Sequence, residues 1–168
     1  CTASCGSCSG GPTGCDLPDM SLSLLDDGSV LYNTSSSIGG FQFVLDGADL
    51  NAAGGGAASE AGFTININSS TGMVLAFSLT GDTVPEGCGT LVELELSGTP
   101  TGLSNFVFSD AFGSGLDFSY MDPPITDGCS LPDLTLYVAP SGSVLYNTSS
   151  SIGGFQFFVD GAGLNAAG

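Results

Sequence analysis

A sequence of 40 residues written twice constrains this chain more than any other feature. Residues 15–54, CDLPDMSLSLLDDGSVLYNTSSSIGGFQFVLDGADLNAAG, return as residues 129–168, CSLPDLTLYVAPSGSVLYNTSSSIGGFQFFVDGAGLNAAG, 114 positions later and without a gap. Of the 40 positions 29 are identical, and the stretch from Gly28 to Phe43 matches Gly142 to Phe157 without interruption. Two copies this similar take the same fold. A spacing of 114 residues is too long for a solenoid repeat and about the size of one whole domain. The chain therefore reads as a linker (residues 1–14), one full domain (15–121), a second linker (122–128) and the first third of a second copy (129–168).

A third of a domain buries too little surface to fold alone. Three accounts of the second copy stay open. It belongs to a window on a longer tandem array, it is a set of strands that completes a sandwich in a neighbouring subunit, or it is a truncation with a disordered tail. The first two both produce a polymer, one covalent and one by strand donation, so the expected partner is the protein itself. Cys1 in place of Met suggests a processed mature chain or a segment of something longer, with a lipid-bearing Cys1 as the less favoured alternative.

Strand signals recur every 8 to 14 residues or so, which is an all-β rhythm. They predict strands at Met20–Leu25, Ser29–Asn33, Gly40–Leu45, Phe63–Asn68, Met73–Leu79, Thr90–Leu96, Asn105–Asp110 and Leu116–Tyr120. Apolar residues alternate within several of them: Phe41, Phe43 and Leu45; Phe63, Ile65 and Ile67; Met73, Leu75, Phe77 and Leu79; Val92, Leu94 and Leu96. Thr64, Asn66, Asn68, Glu93 and Glu95 fall on the opposite faces. One buried and one wet face per strand predicts two antiparallel sheets packed face to face, an antiparallel β-sandwich. The segment AAGGGAASEAG (52–62) is Ala-rich, but its four glycines oppose a helix and predict a loop across the end of the sandwich. Gly39 and Gly40, repeated as Gly153 and Gly154, predict a bulge or a close backbone approach.

The segments SIGGFQFVLDGADL, GGGAASEAGFTININ and GMVLAFSLTGDTVPEGCGTLVELELSG together resemble the cohesin-like β-sandwich domains of bacterial secreted and cell-surface proteins. The match covers about residues 19–120 and again 133–168. The resemblance implies a jelly-roll sandwich and, for the members found in cellulase scaffolds, docking of calcium-loaded dockerins. No dockerin-type Asp-x-Asn-x-Asp loop occurs in this sequence, so such a partner would lie on another chain.

Charge narrows the function classes. There are 17 Asp and Glu and no Lys, Arg or His, a formal charge of −17. A surface without cations repels nucleic acid and anionic lipid, and no apolar run is long enough for membrane insertion by a helix. Imidazole bases, Schiff-base lysines and arginine clamps are absent, leaving carboxylate, thiol and hydroxyl chemistry. Glu93 and Glu95 sit two apart on one strand. A retaining glycosidase places its carboxyls ~5 Å apart across a cleft, but neighbouring glutamates on one outer face read more simply as solvated. The expectation is no enzyme.

Six cysteines, Cys1, Cys5, Cys8, Cys15, Cys88 and Cys129, are disulfide candidates in an extracellular setting. The C-x3-C-x2-C start copies an iron–sulfur spacing, and four thiolates admit zinc, but disulfides pinning a linker are the simpler reading. A bridge from a threshold cysteine, Cys15 or Cys129, to Cys88 is favoured among the 15 pairings that six cysteines allow. Asn33, Asn68 and Asn147 open Asn-x-Ser sequons, the expected points of covalent glycan. No cofactor is expected; calcium is the one ion the acidic turns admit, at Asp26, Asp27, Asp46 and Asp49, although the first two and the last become Pro140, Ser141 and Gly163 in the second copy. The reading that results is an extracellular structural protein built of short-linked sandwiches, a surface filament or stalk. A non-catalytic binding or scaffold module is the alternative.

Overall fold

A computed structural model describes residues 11–125, 128, 131–139 and 142–158. These residues fall into two compact units, 11–125 and 128–158. The first is an all-β sandwich. In chain order its strands are β1 (Ser21–Leu24), β2 (Ser29–Thr34), β3 (Gly40–Asp46), β4 (Asp49–Gly54), β5 (Thr64–Asn68), β6 (Met73–Phe77), β7 (Gly87–Ser97), β8 (Gly102–Ser109), β9 (Gly115–Leu116) and β10 (Ser119–Tyr120). One sheet has the order β10-β1-β2-β7-β4, the other β5-β6-β3-β8-β9. Every pairing is antiparallel except the two-residue parallel contact of β10 with β1.

The strands of the first 40-residue segment are dealt to both sheets. β1, β2 and β4 enter one sheet and β3 becomes the central strand of the other, between β6 and β8. The core lies between the sheets. Leu22, Val30, Ile38, Phe43 and Leu50 from the first segment meet Val74, Ala76, Val84, Val92 and Phe108 from the rest. An aromatic run crosses that boundary: the Phe41 ring lies 5.9 Å from Phe43, 6.2 Å from Phe63 and 5.5 Å from Phe108, which stacks at 4.2 Å on Phe118.

Three expectations require correction. The face predicted inward on β6 points outward: Val74 and Ala76 are fully buried, whereas Met73, Leu75 and Phe77 are half-buried and Leu79 lies exposed beyond the strand. Both faces of MVLAF are apolar, so alternation alone does not choose between them. Cross-strand pairing does, because Phe41 and Phe43 sit opposite Ala76 and Val74. Paired residues share a face, and small side chains opposite large rings let the layers interdigitate.

The second correction concerns 52–62. β4 occupies its start, and a helix, α1 (Gly56–Glu60), follows. The glycines place this helix instead of preventing it. Gly56 has φ 62°, and a Cβ there would come within 2.6 Å of the Leu91 carbonyl oxygen, so only glycine lets α1 approach β7 closely enough to bury Ala58. Third, the last predicted strand is two short ones, β9 and β10, one in each sheet. The close approach expected at Gly39 is present: a Cβ there would lie 2.5 Å from the Asp110 carbonyl oxygen.

The second unit contains an antiparallel hairpin, β11 (Thr135–Val138) with β12 (Val144–Asn147), followed by described but non-strand residues through Phe158.

Because Phe43 is fully buried at the centre of the sandwich, Phe43→Ala is expected to lower the unfolding free energy by about 3–5 kcal/mol. Denaturant titration of the first sandwich checks this.

Candidate functional site

The element that stands out is the hairpin shared by the two copies, and it is built by a small set of polar contacts. The Asp19 carboxylate accepts hydrogen bonds from the Ser35 N–H (2.7 Å), the Ser35 hydroxyl (2.7 Å) and the Met20 N–H (2.9 Å). It thereby ties the residue before β1 to the residue after β2. Met20 adopts φ 57°, a left-handed conformation uncommon for its residue type, directly beside this tie. The Asn33 amide donates to the Leu17 carbonyl at 2.7 Å, closing the same end of the hairpin.

Every one of these contacts recurs in the second copy. Asp133 accepts from the Ser149 N–H (2.6 Å), the Ser149 hydroxyl (2.7 Å) and the Leu134 N–H (3.0 Å). Leu134 has φ 59°, and the Asn147 amide donates to the Leu131 carbonyl at 2.6 Å. The strand register recurs as well: Leu22 opposite Tyr32 and Leu24 opposite Val30 become Leu136 opposite Tyr146 and Val138 opposite Val144. Serine hydrogen bonds hold both the Asp19 and the Asp133 carboxyl below their ordinary value, the side-chain bond from Ser35 or Ser149 being the largest cause.

What differs between the copies is cover. Leu22, Val30, Ile38, Phe41 and Phe43 are each at most 2 % exposed, whereas Leu136, Val144, Ile152, Phe155 and Phe157 run from 38 to 79 % exposed. The Phe155 and Phe157 rings nevertheless keep the 5.9 Å spacing seen between Phe41 and Phe43.

Of the disulfide candidates, Cys15 and Cys88 form a bridge, with Cα atoms 5.0 Å apart and a sequence separation of 73. It fastens the start of the first copy to β7. Cys1, Cys5, Cys8 and Cys129 lie outside the described residues. The sequons divide. Asn33 and Asn147 lie within β2 and β12, half-buried, with the side-chain nitrogen that would carry sugar already donating to a backbone carbonyl. Asn68 is exposed at the end of edge strand β5, its side-chain oxygen accepting the Ser70 N–H at 3.1 Å.

The four calcium candidates are not assembled into one site. Asp26 and Asp27 lie in the β1–β2 turn, where Asp27 accepts the Ser29 N–H at 2.9 Å, while Asp46 ends β3 and Asp49 begins β4. Asp26 and Asp27 border an open groove with Glu93 and Glu95. Among the described residues no group of three or more acidic or cysteine side chains is arranged to hold a metal. Tyr32 is buried, and Tyr120 and Tyr137 are half-buried. Burial foremost, with Glu60 beside it, pushes the Tyr32 phenol above its ordinary value, and burial followed by Asp122 does the same at Tyr120. Two apolar side chains do stand out at one end of the second sheet, Leu79 after β6 and Phe112 after β8; the Asp110 carboxylate fixes the latter's turn by accepting the Phe112 and Ser114 N–H groups, both at 2.8 Å. Sequence reasoning missed Phe112, which sits in a turn and belongs to no alternating pattern.

Comparison with protein-family models, with curated proteins and with solved structures returned no match. Among the described residues no helix is long and apolar enough to cross a membrane.

Two outcomes test this description. Breaking the bridge by Cys15→Ser is expected to reduce the stability of the first sandwich by up to about 4 kcal/mol, the loop-entropy figure for so long a loop, and reductant added to the unaltered protein should produce the same shift. Asp19 has its carboxyl lowered on folding, so its contribution is present above the unfolded carboxyl pKa and disappears as pH falls through the folded one. The stability difference between the natural protein and Asp19→Asn should therefore shrink toward zero below about pH 4, as measured by urea titrations between pH 7 and pH 2.5.

Proposed function

We propose that this chain is an extracellular structural protein whose tandem β-sandwich repeats, of the cohesin-like type that the sequence resembles, assemble into a surface filament or stalk. One observation carries the reading: the hairpin of the first sandwich is rebuilt in the second copy with the same register, the same aspartate–serine tie and a left-handed residue at the same position, Met20 and then Leu134. A chain that repeats a load of core residues at a spacing of one domain is suited to adding sandwiches in series.

Other features support it. The Cys15–Cys88 bridge fits an oxidising compartment. Seventeen acidic groups with no cation make lateral contact between neighbouring filaments unfavourable until salt or divalent ions screen it. Glycan at Asn68 would cover the β5 edge, protection that charged lysines commonly give and this protein lacks. The reading is non-catalytic and needs no cofactor. A binding or scaffold module is the second reading, favoured by the outward Leu79 and Phe112 at one end of the second sheet.

Electron microscopy of native material should show fibres with an axial repeat of one sandwich. Monodisperse globular particles without such a repeat would overturn the filament and leave the binding module.

A further inference from the structure

Four strands end the two sheets of the first sandwich, β10 and β4 in one, β5 and β9 in the other. A strand at an edge leaves a row of N–H and C=O groups unpaired, and folded proteins blunt such rows by shortness, charge, proline or a bulge. Three of these edges carry such a device. β9 and β10 are two residues each, set among Asp110, Asp117 and Asp122, and β4 opens on Asp49 and breaks its register with β7 between Leu50 and Ala52. β5 carries none. Its residues Thr64, Ile65, Asn66, Ile67 and Asn68 pair with β6 in unbroken register and, among the described residues, with no other strand. The hairpin from Phe63 to Gly81 contains no acid, in a chain that has 17.

We infer that β5 is a pairing edge for β5 of a second molecule of this chain, the two strands running antiparallel about Asn66 so that two sheets join into one. This pairing concerns the edge of one sandwich and does not rest on the filament reading.

Charge and pattern select this occupant. Two molecules that each carry a formal charge of −17 meet with least repulsion where neither has an acid, and β5 lies within such a stretch. A two-fold axis at Asn66 sets Asn66 opposite Asn66, Ile65 opposite Ile67 and Thr64 opposite Asn68. Each residue thereby meets one of its own kind. Ile65 and Ile67 are half-buried and packed on the core, whereas Thr64, Asn66 and Asn68 are exposed, so the paired isoleucines continue one core toward the next while the facing amides and hydroxyls hydrogen-bond across the outer face. Moving the axis by one residue in either direction shortens the ladder. Glu60 and Asp82 border a hollow with Gly62 just before the strand, and antiparallel pairing holds the two molecules' hollows at opposite ends of the contact. The repulsion that remains is between two acidic bodies, so pairing strengthens as salt screens it. A ladder of five residues is a small contact and gives weak, reversible association.

The test uses residues 1–168 made without N-glycosylation, because sugar at Asn68 would stand in this edge. Sedimentation equilibrium with sodium chloride raised in steps should show monomers passing to dimers, and amide hydrogen exchange should show residues 64–68 gaining protection as they do. Asn66→Asp places two carboxylates directly opposite each other and should weaken dimerisation about tenfold or more at equal salt. Asn66→Thr, neutral and strand-forming, should preserve it. Asn105→Asp adds the same charge at an exposed position on β8, across β6 and β3 from this edge, and should leave it unchanged. Monomers at every salt concentration overturn the proposal, as do dimers that gain no protection in β5 or that respond alike to Asn66→Asp and Asn105→Asp. Fibres in native material from a chain that fails to pair here would remove this edge and spare the filament; pairing here in material without fibres would do the reverse.

Discussion

The interaction on which the rest depends is the meeting of two stretches of chain across the core, Phe41 and Phe43 from one side with Phe63, Phe108 and Phe118 from the other. No ion pair between side chains can share the load, because the sequence contains no Lys, Arg or His. All 17 acidic groups repel one another, so the compact state is held by apolar burial, by backbone ladders and by one described disulfide against a standing electrostatic opposition. That explains why the described acids are kept to turns and outer faces, where water solvates them.

Below that level lies a more local one. The hairpin forms the same contacts whether its apolar face is buried or exposed, as Asp19 with Ser35 and Asp133 with Ser149 show. Its geometry is set by residues close in sequence: a carboxylate that caps its own next N–H and reaches 16 positions onward, an asparagine that closes the same end, and a glycine turn at Gly28 or Gly142 with φ 92° or 84°. Local specification of this kind lets a repeat present its strands already paired, so that completing a sandwich orders fewer residues at once.

Much of this was legible in the sequence. The all-β sandwich followed from alternation, the Cys15–Cys88 bridge from the placement of cysteines at the domain threshold and in the Gly-Cys-Gly turn, and the outward Glu93 and Glu95 from the pattern of β7. The errors have physical causes. The inward face of β6 was misread because both faces are apolar and only its partner across the ladder chooses one. The helix α1 was missed because propensity argues against glycine, whereas packing on β7 requires it. Asn33 looked like a surface sequon because a three-residue motif carries no information about the Leu17 carbonyl that its amide reaches.

By itself the sequence determined which residues are apolar and in what rhythm, that a 40-residue unit occurs twice, and the short-range hydrogen bonds that shape each hairpin, since all of these depend on neighbours in the chain. Only the tertiary structure decided that β3, next after the β1–β2 hairpin, becomes the centre of the opposite sheet, and which face of β6 is inside. Burial depends on what arrives from a distance in the chain, not on neighbours in sequence.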